Sequence, residues 1–329
     1  MERRALLAFF GAALALRPSL VRGQQRSNAR TVAVVMGVSN DEETKARTAA
    51  IEEGLGDRGW FVGRNLHIEY RFAKGEDDRL LSLAKTIIEL HPDVIIAHST
   101  PVVAALHQIT RTLPIVFVVV GDPVGSGFVT SIAHPGGNIT GFTVMQPTII
   151  GKYLSILRQL DPKLSRVVVM YNPESTPSGM LSMHSFNKAA HEFHVTPIMA
   201  SVHTPTEIES YMTDLGTAPG GGLIVTPGNF TTLYRELIIS LAARLRIPTL
   251  YPYRYFADEG GLLSYGVDVL DLFRRAPDYV DRILRGANPA DLPIQAPRKF
   301  ELVINLKTAH ALDIVVPRIL LAGADALIN

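Results

Sequence analysis

Short polar segments directly follow two apolar runs near the middle of the chain, and their side chains are well suited to binding a ligand. Ser99 and Thr100 follow residues 94–97, and Asp122 follows residues 115–120. Both runs are short and mostly β-branched, which predicts strands buried on both faces of a parallel sheet. Since ligands bind at the carboxyl ends of such strands, we expect these three side chains to lie close together at a cleft. Hydroxyls beside helix N–H groups suit a carboxylate, and Asp122 suits an ammonium group or a hydroxyl.

A second set of polar and aromatic residues occupies similar places elsewhere in the chain. Ser39 ends an earlier apolar run, and the later ligand-binding candidates are Asn172, Asn229, Tyr251, Tyr265 and Asp268. Tyrosine rings at such positions suit stacking on an aromatic or apolar body. Each of these residues taken alone is equally typical of a helix cap or a turn, so the prediction depends on their coming together.

Catalytic signatures are absent from the sequence. Ser264 does not lie in a G-x-S-x-G nucleophile elbow, and there is no Walker loop. The chain has no cysteine, which excludes disulfides, thiolate zinc sites and cysteine nucleophiles. His191 and His194 lack the H-E-x-x-H arrangement and are interpreted as surface residues. The sequence therefore predicts no catalytic residue, no metal site and no cofactor.

The first 23 residues have the pattern of an export signal. Arg3 and Arg4 precede an apolar run over residues 5–16, which is too short to span a bilayer. Gly23 supplies a small residue for cleavage, so we expect a soluble protein that is cleaved near Gly23 and exported to the periplasm. The export route, Sec or twin-arginine, stays open, and an N-terminal anchor or a buried helix is the alternative.

Composition and charge limit the possible partners. The chain has 329 residues, 47% of them hydrophobic and 19% charged, with a formal net charge of +1. Loss of residues 1–23 would remove four arginines and one glutamate, leaving 28 − 30 = −2. A balance so close to neutral gives no support for nucleic acid as a partner.

Apolar runs alternate with helical patterns through most of the chain, which predicts an α/β fold. Four predicted strands alternate with helices up to residue 120, and the pattern restarts after Gly141. We expect two doubly wound, Rossmann-like lobes, joined by a hinge of three crossings that allows closure around a ligand. The predicted N-lobe is residues 31–142 with about 267–297, and the predicted C-lobe is residues 143–266 with about 298–329.

Several motifs give the chain a resemblance to a known family. They are Gly59-Trp-x-x-Gly-Arg-Asn-Leu-x-Ile-Glu-Tyr-Arg71, Pro114-Ile-Val-Phe with Gly121-Asp-Pro-Val-Gly125, Pro135-Gly-Gly-Asn-Ile-Thr-Gly141, and Phe300-Glu-Leu-Val-Ile-Asn-Leu-Lys-Thr-Ala309. These motifs resemble the periplasmic solute-binding proteins of ABC transporters, in the branch that includes tryptophan- and tyrosine-type binding proteins. The similarity covers nearly the whole chain.

The resemblance implies a type I periplasmic-binding fold, with two lobes and a hinge, and no catalysis. It also implies that the loops at Ser39, Ser99-Thr100 and Asp122 face the ligand from the first lobe. The loops at Asn172 and Asn229 would face it from the second lobe.

The expected function is a receptor that captures a small solute between its lobes and delivers it to an ABC permease in the inner membrane. The solute would be an amino acid, an aromatic acid or another small carboxylate, and the receptor would act as a monomer. One alternative is a periplasmic sensor that reports to a membrane kinase or receptor. Another is a two-lobed α/β enzyme, which would need an acid/base pair or a metal in the cleft.

Overall fold

The computed structural model describes residues 29–144, 149–174 and 181–329. The predicted export signal, residues 1–23, lies outside these ranges.

The first part of the described chain forms a parallel sheet covered by helices. Its elements are β1 (Arg30–Met36), α1 (Glu42–Gly56), β2 (Leu66–Phe72), a 3-10 turn (Asp77–Arg79), α2 (Leu80–Glu89), β3 (Val94–His98), α3 (Thr100–Ile109), β4 (Ile115–Val120) and β5 (Ile139–Thr143). The five strands are parallel, in the order β2-β1-β3-β4-β5. We call this sheet with its helices the first lobe.

The fifth strand was not predicted, because its glycine-rich sequence indicated a turn. Gly141 is instead required inside β5, since a Cβ atom there would overlap the main chain of Phe117 on the neighbouring strand. Its φ of 151° is also one that residues with a side chain rarely adopt. The expectation of four strands in this sheet was therefore wrong.

The middle of the chain builds a second α/β unit. Its elements are α4 (Ile149–Leu160), β6 (Arg166–Tyr171), α5 (Leu181–Glu192), β7 (Thr196–Ser201), α6 (Pro205–Gly216), β8 (Gly221–Val225), α7 (Asn229–Leu233), α8 (Arg235–Arg244), β9 (Thr249–Tyr251), α9 (Arg254–Asp258) and β10 (Leu263–Val267). Here α6 begins with a capping box, in which Thr204 and Glu207 each accept from the other's backbone N–H.

The end of the chain contributes to both sheets. Its elements are α10 (Val269–Leu284), a 3-10 turn (Pro289–Asp291), β11 (Phe300–Asn305), α11 (Leu306–Ala311), α12 (Arg318–Ala322) and β12 (Ala326–Ile328). Helix α10 packs against α1 and the first sheet, and the Trp60 indole donates to Asp281 on α10 at 2.7 Å. Strands β11 and β12 complete the second sheet, in the order β12-β11-β10-β9-β8-β6-β7, with β10 and β11 antiparallel. We call this sheet with its helices the second lobe.

The chain passes between the two sheets in three places. It leaves the first sheet after Thr143, returns after Val267, and enters the second sheet again before Phe300. The first and third passages run side by side, because Gln295 donates its N–H to Gly141 and accepts from the N–H of Thr143, at 2.9 and 3.0 Å.

In both sheets the strand order reverses once. The reversal falls between β1 and β3 in the first sheet and between β6 and β8 in the second. Loops at the carboxyl ends of strands diverge at such a switch point and leave a crevice, which is the usual ligand site of an open α/β sheet. Ser39 and Ser99 follow the two strands of the first switch point, and Asn172 and Asn229 follow those of the second.

The core continues across the boundary between the lobes. Side chains alternate along β1, so that Ala33 faces α2 and α3 while Val34 faces α1 and α10. The cluster that contains Val34 also contains Met170 and Val225 of the second lobe. The lobes are thus in contact.

Candidate functional site

The strand ends of the first lobe meet as expected from the parallel sheet. The Ser99 N–H donates to Val118 at the end of β4 at 3.0 Å, and Thr100 Oγ1 accepts from Gly121 N–H at 3.4 Å. Ser99 is buried, and Thr100 is half-buried. The segments that follow β3 and β4 therefore share one edge of the sheet.

The backbone is unusual at this edge. Ser99 has φ 82° and ψ 156°, and Val119 in β4 has φ 65°, where the register with β5 shifts. Positive φ values are uncommon for serine and a genuine outlier for β-branched valine. Such conformations cluster at functional sites, where the surrounding structure holds them in place. The Ser99 conformation also leaves the start of α3 without a side-chain cap from Ser99, so its hydroxyl points elsewhere.

That hydroxyl contacts the second lobe. Asn229, at the start of α7, donates from Nδ2 to Ser99 Oγ at 3.1 Å, and both residues are buried. Gly37, just after β1, leaves space for this bond, because a Cβ atom there would lie 2.5 Å from Asn229 Nδ2 and 2.6 Å from Ser99 Oγ. The two switch points thus meet directly across the boundary between the lobes.

An ion pair adds a second contact between the lobes. Arg235 of α8 lies 3.2 Å from Asp41 Oδ2, which belongs to the first lobe, and also donates from Nε to Glu259 at 2.8 Å. Asp41 is also the N-cap of α1, because its Oδ1 accepts from Thr44 N–H at 2.9 Å. One carboxylate therefore both starts a helix and holds the opposite lobe.

Three of the predicted ligand-binding residues have local structural roles. Asp122 is buried and accepts from Gly125 N–H at 2.8 Å within its own turn. Asp268 caps α10 by accepting from Asp271 N–H at 3.0 Å. Asn172 donates to Val202 O at 2.9 Å and so ties together the ends of β6 and β7.

The remaining three predicted positions differ in their surroundings. Ser39 is partly exposed, two residues before Asp41. Tyr251 is fully buried and stacks on Phe256 with ring centroids 5.2 Å apart. Tyr265 packs edge-on against Tyr153, with ring centroids 6.2 Å apart, in a cluster of the second lobe. Tyr251 and Tyr265 thus pack against rings of their own lobe, whereas Ser99 and Asn229 form a contact between the lobes. Thr100 is next to Ser99 in sequence, and Ser39 is near Asp41 of the ion pair.

The structure adds a charged residue that the sequence did not indicate. Arg47 of α1 is 3% exposed, and its guanidinium carbon lies 5.5 Å from the ring centroid of Tyr255 in the second lobe and 5.8 Å from that of Phe273 in the first. The signal was available in the sequence, because Thr44 and Arg47 lie on the same helical stripe as the buried residues Ile51 and Leu55. The small residues of that helix suggested close packing instead.

Aromatic side chains of both lobes surround Arg47. Tyr253 and Tyr255 are buried and stacked, with centroids 5.5 Å apart, and Tyr255 Oη lies 3.0 Å from Thr232 Oγ1. Burial raises the pKa of Tyr255, so it is a neutral phenol. On the other side, the ring of Phe273 lies 5.8 Å from that of His98, the last residue of β3. Burial, and then the charge of Arg47, hold the pKa of His98 well below its usual range, so the imidazole is neutral.

Comparison with known proteins places this geometry in a family. A family model described as ABC transporter substrate binding protein matches residues 31–328. The chain belongs to that family. This confirms the resemblance inferred from the motifs, and the α/β architecture of two switch-point sheets confirms the predicted fold class.

Individual relatives match most of the chain. The chain is 26% identical over 284 residues to a tyrosine-binding protein of Clostridioides difficile (strain R20291), an alignment that covers 86% of this chain and 81% of the relative. A conserved domain protein from Vibrio cholerae has a TM-score of 0.83 at 26% identity, with 91% of this chain and 99% of the other covered. An ABC domain from Streptococcus pneumoniae, solved in complex with L-Trp, has a TM-score of 0.83 at 23% identity, with 91% and 100% covered.

The described ranges contain neither a group of metal-ligating side chains nor a membrane-spanning helix. Within them, no three or more histidine, aspartate or glutamate side chains are grouped so as to hold a metal ion. None of the helices in the same ranges has the length and apolarity needed to cross a membrane.

Proposed function

We propose that this protein is the solute receptor of an ABC importer and captures an aromatic amino acid between its two lobes. The predicted lobe boundaries, residues 31–142 with about 267–297 and residues 143–266 with about 298–329, belong to the proposal. The proposed ligand site keeps all of the predicted residues, and those at the lobe contact are expected to contribute most to binding. The predicted residues are Ser39, Ser99, Thr100, Asp122, Asn172, Asn229, Tyr251, Tyr265 and Asp268.

The observation that carries the proposal is the meeting of the two switch points. Ser99 and Asn229 are 130 positions apart in sequence, yet their side chains bond in a buried position at the junction of the lobes. Loops at both switch points are the expected ligand contacts of each lobe. A solute held there touches both lobes at once, and its binding can favour closure only through such extra contacts in the closed form.

The ligand class rests on the side chains around this contact and on the relatives. Tyr253, Tyr255 and Phe273 offer aromatic surface from both lobes, which suits stacking on a planar body. The similar C. difficile protein is called a tyrosine-binding protein, and the similar S. pneumoniae domain was solved with L-Trp. An aromatic amino acid satisfies both lines of reasoning.

Export and delivery complete the proposal. The apolar run over residues 5–16 supports export to the periplasm with cleavage near Gly23. Membership of the ABC transporter family supports a permease in the inner membrane as the partner. We propose that a monomer of the protein docks on it when closed.

Isothermal titration calorimetry on the purified protein tests the ligand class. L-tyrosine, L-tryptophan and L-phenylalanine are titrated beside L-leucine and L-glutamate, and at least one aromatic amino acid is expected to bind at one site per chain. Ser99→Ala should weaken that binding about tenfold, because it removes an acceptor at the lobe contact. Ser240→Ala is the matched control, since its exposed hydroxyl donates to Leu237 O within α8. The absence of binding by all three aromatic amino acids would refute the ligand class.

A further inference from the structure

Buried polar atoms without a hydrogen-bond partner are rare in folded proteins, and each needs an explanation. In the described ranges, four side-chain atoms are in this condition: Thr44 Oγ1, Arg47 Nε, His98 Nδ1 and Ser264 Oγ. Three of the four belong to one group. Thr44 and Arg47 are one turn apart on α1, and both Arg47 and His98 lie against Phe273.

Arg47 is the only one of these three side chains that carries a charge. Among the described residues its guanidinium reaches one carboxylate, that of Glu43 one helical turn earlier, at a long 3.4 Å. Glu43 is 38% exposed on its side chain whereas Arg47 is 4% exposed, so water competes for the carboxylate and not for the guanidinium. A buried cation with so little hydrogen bonding is unfavourable unless another anion joins it.

The position of Arg47 points to a function in binding. It lies between Tyr255 of the second lobe and Phe273 of the first, so a molecule in contact with it lies at the junction of the two lobes. The hydroxyls of Ser99 and Thr100, which the sequence suggested for a carboxylate, accept from Asn229 and Gly121, and they are neutral donors. The Nε of Arg47 belongs to a charged group and has no hydrogen-bond partner in the described ranges, so it is the stronger donor for an anionic group.

We propose that Arg47, assisted by Thr44 and His98, recognises the carboxylate of the solute. This inference rests on the proposed function and deepens it by naming the group that fixes the solute's orientation. The guanidinium donates to the carboxylate oxygens, and the Thr44 hydroxyl and the neutral His98 imidazole supply further hydrogen bonds. The stacked rings of Tyr253 and Tyr255 then lie beside the site where the aromatic body belongs.

Paired ligands that differ at the carboxylate alone test the assignment. L-tyrosine is compared with L-tyrosinamide, and L-tryptophan with L-tryptophanamide, by calorimetry. The wild-type protein should prefer each acid over its amide by roughly 30-fold or more, the loss typical of unpairing a buried charge. Arg47→Gln should reduce that preference to about threefold or less, and Arg47→Lys should fall between, because lysine keeps the charge without the planar fork.

Arg235→Gln is the matched control. Arg235 is also a partly buried arginine at the lobe contact, and its guanidinium carbon lies 5.9 Å from the same Tyr255 ring. Its replacement should weaken acid and amide equally and leave their ratio unchanged. The melting temperature of each unliganded variant is measured in parallel, and that of Arg47→Gln should equal or exceed the wild-type value.

The outcomes separate the two proposals. An unchanged acid-to-amide ratio in Arg47→Gln, or no preference in the wild type, overturns the role of Arg47 and leaves the proposed function standing. If the wild type binds none of the four ligands and no L-phenylalanine, the proposed ligand class fails, and the unliganded Arg47→Gln protein then tests the inference about Arg47. A melting temperature several degrees below wild type then makes Arg47 a structural brace between Tyr255 and Phe273 and overturns the inference.

Discussion

The ion pair between Asp41 and Arg235 gives the sharpest prediction. Replacing Asp41 by asparagine removes the charge of the carboxylate and changes little else. In Asp41→Asn the remaining Oδ1 still caps α1 through Thr44 N–H, and asparagine is as good an N-cap as aspartate. Only the oxygen that faces Arg235 at 3.2 Å becomes an amide. The perturbation is therefore confined to a contact that exists when the lobes are closed.

The expected magnitude follows from the exposure of the pair. The side chains of Asp41 and Arg235 are 30% and 18% exposed, so the pair belongs at the upper end of the 0.2–1 kcal/mol found for exposed pairs, about 1 kcal/mol. Loss of about 1 kcal/mol from the closed form alone shifts the equilibrium between open and closed about fivefold. The apparent solute affinity should weaken by at most that factor, and less at high salt, because ions screen the pair.

The assay is calorimetric titration of the solute at low and at high ionic strength, with Asp258→Asn as the control. Asp258 pairs with Arg254 on the exposed surface of α9, within one lobe, so its loss should leave affinity unchanged. If Asp41→Asn binds as tightly as the wild type at low salt, or if Asp258→Asn weakens binding equally, the lobe contact does not contribute to closure.

Three further predictions concern the packing around the site. Gly37→Ala should weaken solute binding at least tenfold, because the new methyl group would push Asn229 away from Ser99. The melting temperature of the unliganded protein should stay unchanged. Calorimetry measures the affinity, and thermal melts measure the stability. Trp60→Phe should lower the free energy of unfolding by about 1 kcal/mol without changing affinity, since it removes the bond to α10, and denaturant titration measures this. The folded-state pKa of His98 is depressed, so its contribution to stability is present above about pH 6.5 and declines by up to about 1.4 kcal/mol per pH unit below it. Unfolding curves at pH 7.5 and 5 should differ less in His98→Asn than in the wild type, and an equal difference would contradict this reasoning.

The strand ends could be predicted because a general rule fixes them. Parallel strands place their carboxyl ends along one edge, so the neighbourhood of Ser99, Thr100 and Gly121 follows from two apolar runs alone. The approach of Asn229 to Ser99 could not be predicted, because it depends on how two separate sheets face one another. Sequence patterns describe each sheet and contain no signal for that angle.

Local interactions explain why some of the predicted ligand-binding residues do not take part in the lobe contact. Asp122 accepts a hydrogen bond from the N–H of Gly125, three residues later. A local turn of this kind forms whether or not a ligand is nearby. Likewise, a tyrosine in a three-residue strand faces core or cleft according to a register that its sequence does not reveal, and Tyr251 faces the core. Arg47 is a functional candidate that the sequence analysis missed. An arginine on the buried stripe of a helix is a recognisable signal, but the small residues of α1 were interpreted as a close-packing face instead.

The contacts at the lobe boundary make opposing contributions to the free energy of closure, and their balance bears on the proposed role of the solute. The bond between Ser99 and Asn229 and the ion pair between Asp41 and Arg235 each favour closure by about 1 kcal/mol. Closure is opposed by the burial of Arg47 Nε, whose N–H has no hydrogen-bond acceptor among the described residues. This costs about 1–3 kcal/mol or more, since the group is charged. Closure around an empty site is therefore close to balanced or unfavourable. In the proposed complex a carboxylate at Arg47 would remove the opposing contribution, so the group that fixes the solute's orientation would also make closure conditional on its presence.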